Sequence, residues 1–146
     1  NVVTMFFEIT ITYWDDDTDS RYPKMKKFSD VIACKAENYT DAEAQATQWA
    51  NENLDVDYVI SPIKEMGISE VHSNKEKGFW FLCKCIFLTV NDTNDKVKEN
   101  KISYLVEAAN NTEAGIITSK ILKEEIVNES RVVQISETKI KEFISC

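Results

Sequence analysis

A chain of 146 residues that is 43% hydrophobic and 29% charged, with only 3 glycines and 2 prolines, can bury a core without disulfides or metal and has no room for a long flexible linker. Its net charge of -8 weighs against a non-specific grip on nucleic acid, which depends on Lys and Arg displacing counterions from phosphates. No apolar run approaches the roughly 18–20 residues that span a bilayer, and Asn1 to Phe7 lack the basic-then-apolar pattern of a signal peptide, so a cytoplasmic location without membrane contact is expected.

In chain order, the first predicted element is a strand in which Phe7, Ile9, Ile11 and Tyr13 alternate with Glu8, Thr10 and Thr12; a period of two marks one buried face. A polar loop from Asp15 to Arg21 leads to a second strand at Val31 to Cys34, which completes a hairpin. A helix is then expected from Thr40, whose hydroxyl can cap the first turn while Glu43, three residues on, closes a capping box. Ala42, Ala46, Trp49 and Ala50 give that helix one apolar face. Extended segments at Tyr58 to Ile63 and Ile68 to Val71 end the first half, and a short charged linker follows at 74–78.

The second half repeats the plan. Phe81, Cys83, Cys85 and Phe87 alternate, Asn91 to Lys96 form a loop, Ile102 to Val106 return, and Ala114, Ile117, Ile121 and Leu122 mark a helix that starts near Thr112. Val132 to Ile135 and Ile140 to Ile144 close it. Residues 36–71 set against 108–143, an offset of 72, need no gap and match at Ala36/Ala108, Asn38/Asn110, Thr40/Thr112, Ala42/Ala114, Glu52/Glu124, Ile63/Ile135, Glu65/Glu137, Ile68/Ile140 and Glu70/Glu142. Such self-similarity predicts an α+β fold of two tandem ββαβ repeats, 1–73 and 79–146, packed as one globular domain. The expected arrangement is a pseudo-two-fold antiparallel sheet backed by two helices.

Asp15, Asp17 and Asp19 have the first spacings of a calcium loop, but Ser20 stands where the turn needs Gly and Lys26 where the bidentate Glu belongs; a solvated hairpin tip is the better reading. Cys34, Cys83, Cys85 and Cys146 contain no C-x-x-C pair, so buried thiols are expected rather than zinc or disulfides. The one histidine, His72, has no visible nucleophile placed by a strained turn and reads as a surface residue beside Glu70. Glu65, Glu70, Glu137 and Glu142 fit the solvent face of a repeated strand as well as any carboxylate pair. Four Asn-x-Ser/Thr patterns, at Asn38, Asn91, Asn110 and Asn128, have no role without secretion; Asn38 and Asn110 stand at helix starts, where they serve capping. Phe6, Trp14, Phe79 and Trp80 flank or interrupt the alternation, and aromatics off the core face are the best hint of a binding surface.

Met5 to Ile11, Tyr39 to Ala44, Trp80, Leu105 to Ala108 and Ile135 to Ile140 together resemble an uncharacterised family, domain of unknown function 4494, found in Bacteroidetes and in phages of that group, including crAss-like ones. Phe6 in place of the family's Trp, and Gly115 in the second helix, depart from its pattern. The resemblance implies a small phage-associated accessory protein in the cytoplasm of a bacterial host and carries no catalytic residues over. The resulting expectation is a non-enzymatic protein without metal or cofactor. It would bind a host or phage protein, as an inhibitor of host defence for example, through Trp14, Asp15, Asp17, Asp19 and Trp80. The alternative is a module that holds single-stranded nucleic acid or a small nucleotide in a groove between the repeats.

Overall fold

The computed structural model of the protein describes residues 5–16, 21, 24–73 and 78–144. Asp17, Asp19, linker residues 74–77 and Cys146 lie outside the described residues. The fold is α+β, with two helices and two sheets. The chain forms two compact units, one from Asn1 to Met66 together with Lys139 to Cys146, the other from Gly67 to Thr138. No helix among the described residues is long and apolar enough to cross a membrane.

In the first unit, β1 (Met5–Asp16) and β2 (Met25–Ala36) pair antiparallel in unbroken register from Met5 opposite Ala36 to Asp16 opposite Met25. The alternation does what its period demands: Phe7, Ile9, Ile11, Ile32 and Cys34 are fully buried on one face. Helix α1 (Tyr39–Asn53) lays Ala42, Ala46, Trp49 and Ala50 on them. The short alanines let its backbone approach the sheet closely, while Trp49 supplies bulk at the far end. β3 (Tyr58–Ile60) and β4 (Lys64–Met66) add to the outer edge of β1. The extended segment expected over Tyr58 to Ile63 is thus shorter. Pro62 carries no N–H for a ladder bond, which suits the break between the two strands.

In the second unit, β6 (Phe79–Val90) and β7 (Val97–Ala108) make the corresponding hairpin. Helix α2 (Asn111–Glu125) covers Phe81, Cys83, Cys85, Tyr104 and Val106 with Ala114, Ile121 and Leu122. β8 (Ser130–Glu137) runs unbroken along β6, with a register shift between Lys84 and Cys85. A Cβ on Gly115 would sit 3.1 Å from Cδ1 of Ile135. The glycine that departs from the family pattern therefore lies where α2 passes close over β8.

Both helices start on asparagine. Asp41 N–H donates to Asn38 Oδ1 and Glu113 N–H donates to Asn110 Oδ1, each at 2.8 Å. The helices begin at Tyr39 and Asn111, so Thr40 is not the cap and Glu43 closes no box. The Asn amide oxygen is a good acceptor for the N–H groups of the first turn, and it stands two residues nearer the strand end. Asp41 instead turns back to accept from Glu37 N–H at 3.1 Å. The other two asparagines of the acceptor pattern also bond to backbone: Asn91 Oδ1 accepts from Thr93 N–H and Asn128 Nδ2 donates to the Leu88 carbonyl, both at 2.8 Å.

The sheets depart from the purely antiparallel expectation, because each includes one parallel edge pair. β5 (Glu70–His72) lies parallel to β7, with Glu70, Val71 and His72 opposite Tyr104, Leu105 and Val106. β9 (Ile140–Ile144) lies parallel to β2, with Glu142, Phe143 and Ile144 opposite Ile32, Ala33 and Cys34. The sheet orders are β3-β1-β2-β9, with β4 also on β1, and β5-β7-β6-β8. Each expected half, 1–73 and 79–146, therefore contributes one short strand to the other half's sheet. A parallel pair needs a long connection: between β5 and β7 it includes β6, and between β2 and β9 it includes both helices and β3 to β8.

Candidate functional site

The described residues place a compact polar cluster in the second unit. Glu70 and His72 are two apart on β5, so both side chains leave the same face of the strand. That is the face their register partners Tyr104 and Val106 share with α2. Glu125, the last residue of α2, is brought to the same place because the helix ends beside the sheet edge that β5 forms.

His72 Nε2 lies 3.0 Å from Glu70 Oε2, and the Tyr104 hydroxyl points at Glu125 Oε2 from 3.5 Å. The His72 ring meets the Tyr104 ring edge-on, with centroids 6.0 Å apart. One donor atom each from Glu70, His72 and Glu125 lie within 4.8 Å of one another. Tyr104 is fully buried, whereas the side chains of Glu70 and His72 keep 47% and 31% of their surface open to solvent.

The electrostatics follow from this crowding. The Glu125 carboxyl is raised above its ordinary value by desolvation first and then by the hydrogen bond and charge of Glu70; His72 and the Tyr104 hydroxyl pull it the other way. Burial, and then the charge of Glu125, push the Tyr104 phenol up to about 12, so it remains a protonated donor throughout the physiological range. The cluster therefore combines two carboxylates, one imidazole and a neutral phenol, a set able to exchange protons or to ligate a cation.

The residues expected to form a binding surface are distributed differently. Trp14 is 43% exposed at the end of the first hairpin, opposite Lys27. Asp15 is exposed opposite Lys26 and accepts from Asp16 N–H at 2.8 Å. Trp80 belongs to the second unit and is only 4% exposed, and its carbonyl accepts both the N–H and the hydroxyl of Thr138. It is therefore not a surface aromatic. The face of β6–β7 turned away from α2 is itself buried there, Leu105 included, so leaving the helix side does not expose a side chain. Phe79, its neighbour, is 57% exposed.

Glu70, His72, Tyr104 and Glu125 were not singled out as one site by sequence. Glu70-x-His72 does show the same-face spacing. Nothing local to residue 125 signals that a helix end will meet it.

The model of a domain of unknown function, DUF4494, matches residues 5–146, and the chain belongs to that family. No curated protein matches the chain, and no solved structure does.

Proposed function

We propose that this member of the DUF4494 family is a non-enzymatic accessory protein that binds a protein partner, of host or phage origin, through the end of the β1–β2 hairpin. The observation that carries the reading is the exposure of two large apolar side chains, Trp14 at 43% and Met25 at 61%. Buried positions on β1 stop at Ile11, so the hairpin continues past its own core. Trp14 opposite Lys27 and Asp16 opposite Met25 put all four side chains on the face turned away from α1. Exposed Trp and Met amid charged neighbours are the composition of an interface centre with a polar rim. The net charge of -8 favours a partner whose contact surface is basic.

A photo-crosslinking side chain at Lys27, in the full chain expressed in a bacterial host, tests this. One discrete protein adduct is expected, and the pair Trp14→Ala and Met25→Ser should abolish it while leaving the far-ultraviolet dichroism unchanged. An adduct that survives the pair, the lack of any protein adduct, or salt-sensitive binding of a labelled single-stranded oligonucleotide lost in the same variant would overturn the reading.

A further inference from the structure

We propose that Glu70, His72 and Glu125 form a three-ligand site for a divalent first-row transition ion, with Zn2+ as the type case. Three observations converge on it. The first is the donor set: one imidazole nitrogen and two carboxylates within 4.8 Å form a mixed nitrogen and oxygen site, which suits zinc and its neighbours better than the all-oxygen shells of calcium or magnesium.

The second is charge. Glu70 and Glu125 are held together although like charges repel, and they meet at the C-terminal end of α2, the negative end of its dipole. No Lys or Arg among the described residues forms an ion pair with either of them, and Lys123 in the last turn is no exception. A bound dication would reverse both penalties.

The third is the comparison with the first unit, where the same fold is made without these donors. At the offset of 72, the positions of Glu70, His72, Tyr104 and Glu125 are taken by Glu142, Ile144, Ile32 and Asn53. There Glu142 accepts from the Trp49 indole, and Lys141 lies over the Trp49 ring and pairs with Asp30 at 3.6 Å. The first unit closes this corner with an indole and a lysine. The imidazole and second carboxylate of the other unit are not a requirement of the fold.

The geometry is within reach of binding. Bonds of roughly 2.0–2.1 Å to a tetrahedral ion put donors about 3.3 Å apart, so donors now within 4.8 Å of one another need to close by up to about 1.5 Å. Glu70 and Glu125 are exposed residues, so their carboxylates can re-orient toward an ion without repacking the core. His72 would use Nε2, the atom now beside Glu70, with the proton on Nδ1. The buried Tyr104 hydroxyl, at 3.5 Å too distant for a strong hydrogen bond to Glu125, would hold that carboxylate from behind. A fourth position is left for water or a ligand atom.

Titration of the full chain with Co2+, followed by displacement with Zn2+, tests the site. The expected result is one equivalent bound, with the visible bands of a nitrogen and oxygen ligand field. His72→Gln and the near-isosteric, exposed Glu125→Gln should each lower affinity by about tenfold or more, while Trp14→Ala leaves it unchanged. Affinity unaltered in both ligand variants, no saturable binding, or a preference for Ca2+ or Mg2+ would overturn the proposal. So would a sulfur-to-cobalt charge-transfer band, which would place the ion on cysteine instead.

Discussion

Cys83 and Cys85 show how burial alone sets the chemistry of a side chain. Both thiols point into the core under α2, and burial raises both above the ordinary value of 9.0, Cys85 to about 11 with the neighbouring Cys83 adding to it. A thiol that holds its proton more tightly when folded than when unfolded makes the folded state the stronger proton binder between those values. Its contribution to stability is complete below pH 9 and is lost as pH rises toward 11. The urea midpoint is therefore expected to stay level from pH 7 to 8.5 and to fall above pH 9, and Cys85→Ala should flatten that fall. An equally steep decline in the variant would show that another group controls it. The expectation of buried thiols rested on the missing C-x-x-C spacing and on alternation within the strand, and Cys34, Cys83 and Cys85 are all buried.

At the scale of elements, the helix starts are decided by asparagine rather than threonine. Asn38→Ala and Asn110→Ala are each expected to cost about 1 kcal/mol in chemical denaturation, whereas Thr40→Ala and Thr112→Ala, at exposed positions, should stay within about 0.5 kcal/mol. A larger loss at Thr40 would restore the capping box. The hairpins and helix faces were legible in sequence because periods of 2 and 3.6 are written in neighbouring residues. Asn38 and Thr40 both read as caps in sequence because both offer a side-chain oxygen acceptor, and only backbone geometry chooses between them. Burial of Trp80 was hidden for a different reason: alternation says which face a side chain takes, and it is silent on whether that face is covered. The Glu70, His72 and Glu125 cluster was half visible, since the strand pair is local and the helix end is not.

For the molecule as a whole, the two parallel edge strands matter most. A three-residue strand such as β5 carries no local sign of its partner, so the exchange between halves could not be read from pattern. Its register can be compared directly: Glu70 opposite Tyr104 and Glu142 opposite Ile32 are the same pairing at the offset of 72. Removal of residues 139–146 takes away the β9 pairing to β2 and the burial of Ile140, which is 6% exposed. The expected loss in the first unit is about 2–4 kcal/mol. Hydrogen exchange should then accelerate in β2 and α1 and remain slow in β6, β7 and α2; uniform acceleration, or none, would contradict the assignment of β9 to the first sheet.

That exchange also orders events at the ribosome. Domains generally fold in sequence as they are synthesised, and the second unit, from Gly67 to Thr138, is continuous and can close once it has emerged. The first unit appears earlier in synthesis yet must wait with the β2 edge unclaimed until β9 leaves the exit tunnel. The half that is made first is the one completed last.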